Sequence, residues 1–228
     1  MTPPTIGVVV VARNRADTLH RAMASVLREL GNLPTADVVV IDGASTDDTM
    51  RIAAELPRVR AVPQQGLGLA AARNQGIAAV DGDFIAFLDA DDWWADGSIA
   101  LRLAALASRP QAIGVVGHLV AEALPGQSIA ARHRDRLGRP VPGFTPGALL
   151  AHRRAFELVG PFDEQLTVGS DSDWFVRARS SGHTVALVTD VVLHKGIRND
   201  SLSNDVETYR RELLQAARRF VATRDAQQ

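Results

Sequence analysis

FIAFLDADD, residues Phe84 to Asp92, is the stretch on which the fold turns. Its apolar residues run consecutively from Phe84 to Leu88 instead of alternating, as expected of a central parallel strand covered on both faces. Asp89, Asp91 and Asp92 follow at once, so they emerge at the carboxyl end of that strand, where open α/β sheets build their ligand crevice. Packing does not explain three neighbouring carboxylates, which repel one another unless solvent, donors or a cation compensate them. A hard divalent cation bridging carboxylate and phosphate oxygens supplies that compensation. On this reading Asp91 is the direct metal ligand and Asp89 holds the sugar or ribose side of a ligand. The plain alternative is a solvated turn ahead of Trp93 and Trp94.

Working outward, short Val/Ile-rich runs alternate with helix-like segments, the pattern of parallel strands with helices on both faces. Ile6 to Ala12 is the first strand, and Leu19, Met23, Val26, Leu27 and Leu30 then recur at helical spacing. Asp37 to Ile41 is the second strand, followed by a helix expected from about Thr46 to Pro57 with Ser45 and Asp48 placed as a capping box. Val59 to Val62, a small-residue helix from Leu67 to Val80, and a helix from Ser98 to Ser108 complete a first half of about residues 1–110. The second half, about 111–204, is looser. Ile113 to Val120 and Thr184 to Val188 look like strands, with helical spacing over His152 to Val159 and Asp173 to Ser180. Leu124 to Gly147 is a Pro- and Gly-rich loop with a basic stretch at Arg132, His133, Arg134, Arg136 and Arg139, either solvated or able to cover a donor or meet an anionic acceptor. A helix and tail over 205–228 close the chain, docked on the domain or in contact with a partner or membrane.

Composition narrows the chemistry. The 228 residues carry 25 Lys plus Arg against 26 Asp plus Glu, so the overall charge demands neither nucleic acid nor a membrane surface. With 46% hydrophobic residues the chain can bury a core. Cysteine is absent, which removes disulfides, thiolate metal sites and a cysteine nucleophile. Lys195 is the sole lysine, and it lies far from any glycine-rich strand-to-helix turn, so a Walker-type site is excluded. Ile6 to Ala12 is too short to span a bilayer. The expected location is cytoplasmic, with peripheral contact at the inner face of the membrane open for a lipid-linked acceptor.

The other strand ends add candidates. Ala12, Arg13 and Asn14 reach the same edge from the first strand, and Asp42 ends the second ahead of the small-residue turn Gly43, Ala44, Ser45 and Thr46. Such a crevice can hold a nucleobase through Asp42 and approach its phosphates with backbone groups and Arg13. Gly66, Gly68 and Ala71 also fit the dinucleotide fingerprint G-x-G-x-x-A, with Asp89 at the right distance for a ribose contact. That NAD-dependent oxidoreductase reading leaves Asp91, Asp92 and the segment around Asp171 without joint roles.

Taken together, VVVVARN (Val8 to Asn14), VVVIDGASTDDT (Val38 to Thr49), GLGLAAARNQGIAAVDGDFIAFLDADD (Gly66 to Asp92) and FDEQLTVGSDSDWFVRA (Phe162 to Ala178) resemble family 2 glycosyltransferases. The resemblance implies an α/β, A-type nucleotide-sugar fold, Rossmann-like, with a mostly parallel central sheet flanked by helices, over one domain at 1–204. It implies a nucleotide-diphosphate sugar donor, with UDP favoured, a Mn2+ or Mg2+ ion, and an acceptor hydroxyl. Asp42 would contact the base, Arg73 and Asn74 would border the donor crevice, and Asp89-Ala90-Asp91 would be the paired-aspartate signature. Asp171 would be the catalytic base of an inverting displacement. Arg13, Gly43 and Ser170 depart from the more usual aromatic residue, aspartate and glutamate of the family.

Further residues stay open at this level. His194 either faces the metal and diphosphate from a late loop or is a satisfied strand-end histidine. Lys195 and Arg198 would help hold the diphosphate. Trp93, Trp94 and Trp174 are core, rim or acceptor platform. A noncatalytic nucleotide-sugar-binding protein is the remaining alternative to an enzyme.

Overall fold

The computed structural model describes residues 4–31, 36–126, 137–198 and 207–214. The first half runs β1 (Ile6–Ala12), α1 (Leu19–Leu30), β2 (Ala36–Asp42), α2 (Thr49–Glu55), β3 (Arg60–Pro63), α3 (Gly68–Ala79), β4 (Phe84–Asp89), the short β5 (Trp93–Trp94) and α4 (Ser98–Ala107). The second runs β6 (Ala112–Ala123), β7 (Val141–Pro142), a 3-10 turn at Pro146–Ala148, β8 (Leu149–His152), α5 (Arg154–Leu158), α6 (Ser170–Ser180) and β9 (Thr184–Ile197). A last helix, α7, covers 207–214.

One sheet joins both halves in the order β3-β2-β1-β4-β8-β6-β9-β5, with β7 beside β6. β3, β2, β1 and β4 are mutually parallel. Beyond β4 the sheet is mixed: β8 runs antiparallel to β4 and β6, β5 antiparallel to β9, and β6 parallel to β9 through register shifts. The expectation of a mostly parallel sheet is therefore corrected. The single α/β domain and its flanking helices hold, but the second half folds back on itself through short antiparallel strands.

The parallel half forms because its strands are apolar on both sides. Val8, Val10, Val38, Val40, Ala86 and Leu88 pack under α1, α2 and α4. Val9, Val11, Val39, Ile41, Ile85 and Phe87 pack under α3, α5 and α6 on the opposite face. In α1 the buried residues Leu19, Met23, Val26 and Leu30 make a stripe at helical spacing. α2 begins three residues later than the sequence suggests. Ser45 turns back to the Asp42 carboxylate (Oγ to Oδ1 2.5 Å), and Asp47 takes up Thr49 and the amide of Ala16.

The tryptophans divide. Trp94 is fully buried with its indole N–H on the Gly147 carbonyl (2.9 Å), and Trp174 is buried among Phe156, Phe162 and Phe175 with its N–H on Gly160. Trp174 is thus an anchor for α6 and not an acceptor platform. The basic stretch at Arg132, His133, Arg134 and Arg136 lies outside the described residues, as do 205–206 and 215–228 of the C-terminal segment.

Candidate active site

The parallel strands end together. Register pairs Ala12 with Asp42, Val11 with Asp89, and Asp42 with Pro63, so the residues just beyond each strand meet at one edge. There they line a crevice of about 390 Å³: Ala12, Arg13 and Arg15 after β1, Gly43 after β2, Gln64 after β3, and Ala90 and Asp91 after β4. Thr167 and Val168 close it from the loop entering α6, Asp171 from the first turn of that helix, and Lys195 and Gly196 from β9.

Arg73 organises the acidic side. It is carried on α3, is 1% exposed, and spans two carboxylates: Nη2 to Asp89 Oδ1 at 3.0 Å and Nη1 to Asp171 Oδ1 at 3.1 Å. Burial alone would lower the Arg73 guanidinium, but Asp89 and Asp171 outweigh it and hold the group above its ordinary value. Burial likewise pushes Asp89 up, and Arg73 first, then Lys195 and Arg15, bring it below the usual carboxylate range. Arg73 is therefore an internal bridge more than a ligand contact. It joins the first aspartate of the strand-end pair to an aspartate on a distant helix.

Asp91 moves the other way. Burial and the neighbouring Asp89 charge raise its carboxyl, and Lys195 first, then Arg15 (Nε to Oδ2 3.4 Å), only partly offset them. Asp92 turns inward, 2% exposed, accepts the Gly196 amide at 2.9 Å and sits 3.6 Å from the Lys195 ammonium. Burial pushes it up to about 8. Lys195 is held above the ordinary ammonium range, by Asp92 before any other group.

These features bear on the divalent cation that the resemblance implies. Asp91 is a hard oxygen donor in the crevice wall whose charge is under-compensated by its protein neighbours, which is the chemistry such an ion needs. Among the described residues no group of three or more His, Asp or Glu side chains is placed to hold a metal. The residue that fits is Asp91, with the remaining positions left to phosphate oxygens and water, as is usual for magnesium at nucleotides.

The sequence-derived candidates separate accordingly. Ala12, Arg13, Arg73, Asp89, Ala90, Asp91, Asp171 and Lys195 come together at the crevice. Asn14, Asp42, Asn74, Arg198 and His194 are not among the residues lining it. Asn14 accepts the Thr46 amide, and the Asp42 carboxylate is taken by the amide and hydroxyl of Ser45, so both shape the turn. Asn74 pins Phe162, through its amide and carbonyl, and Glu164. Arg198 pairs with Asp17 at 2.8 Å. His194 stacks on Trp93 at 5.2 Å and meets Glu122 through Nδ1 at 2.6 Å. Arg15, Gln64, Thr167, Val168 and Gly196 were not singled out from the sequence. Arg15 and Gln64 follow strand ends and so carried a positional signal, whereas the other three are placed by tertiary folding.

A sheet whose strand ends gather carboxylates and cations round one crevice has the layout of the ligand sites of open α/β proteins. Comparison with known proteins makes this specific. Residues 7–159 match the model of glycosyl transferase family 2, and the chain belongs to that family. Succinoglycan biosynthesis protein ExoU of Rhizobium meliloti is 30% identical over 96% of this chain and 70% of its own length. Succinoglycan biosynthesis protein ExoO of the same organism is 31% identical over 88% of this chain. The chain spans 63% of ExoO. Among solved structures, S. aureus TarS residues 1–349 in complex with UDP-GlcNAc superposes with a TM-score of 0.74 at 14% identity, over 96% of this chain and 66% of that one, a likeness of fold. No helix among the described residues is long and apolar enough to cross a membrane.

Proposed function

We propose that this glycosyltransferase moves one sugar from a nucleotide-diphosphate donor, UDP by preference, to an acceptor hydroxyl with inversion at the anomeric carbon, and that Asp171 is the base. The observation that carries this is Asp171 in the same crevice wall as Asp89 and Asp91, tied to Asp89 through Arg73. Among the described residues both bonds to its carboxylate, from Arg73 and Ser170, fall on Oδ1, so Oδ2 is available for a proton. The acceptor O–H gives its proton to Asp171 as the oxygen forms a bond to the anomeric carbon. The bond from that carbon to the diphosphate breaks from the opposite face, and the nucleotide diphosphate leaves with the electron pair. A divalent ion held at Asp91 would supply charge stabilisation to the leaving diphosphate. Arg13, Arg15 and Lys195 supply fixed positive charge in the same wall.

The whole of 1–204 acts as the transferase unit in this reading, with the donor half at about 1–110 and the acceptor and base half at about 111–204. The names of ExoU and ExoO support a saccharide acceptor in polysaccharide assembly, and the UDP-GlcNAc bound by TarS supports a uridine donor. The test is a panel of nucleotide sugars with Mn2+ and saccharide acceptors, measuring released nucleotide and modified acceptor together. Asp171→Asn is expected to keep nucleotide binding and lose about 100-fold or more of the transfer rate, the range of a general base. Equal transfer by that variant removes Asp171 from the role, and nucleotide binding without transfer by the wild type with every acceptor favours a binding protein.

A further inference from the structure

β4 ends on Asp89 and Asp91 follows in the turn to β5, whereas Asp171 is the second residue of α6 and follows a turn at 167–169. Helix α7 lies against that turn. Glu212, 5% exposed, accepts three consecutive backbone N–H groups: Thr167 on Oε1 at 2.9 Å, and Val168 and Gly169 on Oε2 at 2.9 and 2.6 Å. Gly169 makes the approach feasible, since a Cβ there would stand 2.9 Å from the Glu212 Cβ. One turn earlier on α7, the Tyr209 hydroxyl meets Ser172 Oγ at 3.1 Å. Thr167 and Val168 are crevice residues, and Asp171 follows Gly169 by two positions.

We infer that Glu212 is a positioning residue for sugar transfer. By collecting the amides of 167–169 it fixes the turn from which α6 starts, and with it the height of Asp171 over the donor site. This rests on the assignment of Asp171 as base. Arg73 holds the Asp171 carboxylate at one end, and Glu212 holds its backbone at the other. Buried amides without an acceptor do not persist, so removing the carboxylate makes the turn rearrange toward water. A shift on the scale of an ångström in a reacting group is enough to lower the chemical step about 100-fold while leaving donor binding in place.

The experiment compares Glu212→Ala, Glu212→Gln and wild type by hydrogen exchange and by UDP release from UDP-N-acetylglucosamine with Mn2+ and a saccharide acceptor. For Glu212→Ala the expected result is exchange at 167–171 faster by about 10-fold or more with the β1–β4 core unchanged. kcat falls about 10- to 100-fold and the donor KM stays within about twofold. Glu212→Gln, which keeps one acceptor oxygen and the shape, recovers part of both. On an Asp171→Asn background Glu212→Ala adds little further loss, because it acts through the base. Unchanged exchange at 167–171, a donor KM effect with kcat intact, or full additivity with Asp171→Asn overturns the inference. If wild type transfers no sugar with any donor and acceptor of the panel, the transfer reading fails by itself, and the exchange comparison still decides whether Glu212 holds the turn.

Discussion

Arg73 shows how one residue joins two distant parts of the chain. Its guanidinium forks to Asp89 and Asp171, so its removal leaves two carboxylates without their shared cation in a nearly closed wall. Breaking such a set by deleting one partner costs about 3–5 kcal/mol, and Arg73→Ala is expected to lose that much in urea unfolding. Arg73→Lys keeps the charge but has no planar fork, and should fall between. The sequence makes Arg73 a candidate beside the donor crevice through its place in the AARNQG segment, and the structure has Arg73 among the residues lining the crevice. Its bridging role was not legible, because nothing in the chain order says that an arginine on α3 meets an aspartate 98 positions later. Asp42 shows a local use that its position did not reveal: the carboxylate at the strand end also takes the amide and hydroxyl of Ser45, three residues on. Glu212 gives a pH test at the same scale. Burial raises its carboxyl, and three amide bonds outweigh that and hold it below the ordinary glutamate range. A depressed carboxylate stabilises fully above its unfolded pKa of about 4.3 and loses that contribution as pH falls through the lower folded value. The protection of 167–169, taken as the ratio of intrinsic to observed exchange rate, should therefore fall on acidification below about pH 4 before that of the core, and Glu212→Gln should flatten the dependence.

Among the elements, α3 has the least room. A Cβ at Gly76 would stand 2.1 Å from Cγ1 of Val9 on β1, so helix and strand touch backbone to side chain there. On propensity alone, Gly76→Ala would stabilise a helix by about 0.8–1.0 kcal/mol. Overpacking of about 1–3 kcal/mol opposes this and should win, because Val9 is on a central strand with no space behind it. The net expectation is a lower Tm together with weaker transfer, since any outward shift of α3 moves Arg73, less than one turn away. A higher Tm with full transfer would show that the contact relaxes without cost. The parallel half of the sheet was readable because each strand is a two-sided apolar run and each helix a stripe. The antiparallel return was not. β8 is only Leu149–His152, set directly behind a Pro/Gly-rich loop, and β5 is two tryptophans whose pairing with Leu193 and His194 depends on where β9 ends up.

Across the whole molecule the crevice sets Asp89, Asp91 and Asp171 against Arg13, Arg15, Arg73 and Lys195, with Asp92 buried beside Lys195, and Asp91 and Asp92 both sit above their ordinary values. Arg73 is engaged by Asp89 and Asp171, and Lys195 by Asp92, so a diphosphate set beside the Asp91 carboxylate without an ion meets like charge, and UDP alone should bind weakly. UDP with Mn2+ brings its own compensation to Asp91. At a nucleotide concentration about 100 times Kd, binding to the folded state contributes about 2.7 kcal/mol, which for a chain of this size is a Tm rise of about 5–10 °C. In Asp91→Ala that rise should shrink to the small value given by UDP alone, because the oxygen that holds the ion beside the phosphates is gone, while Asp171→Asn should keep it. The two variants thus separate the donor end of the crevice from the acceptor end in a melting experiment that needs no acceptor. Equal Tm rises for wild type with UDP and with UDP plus Mn2+ would mean that Arg13, Arg15 and Lys195 alone neutralise the diphosphate, and that Asp91 has no ion to hold.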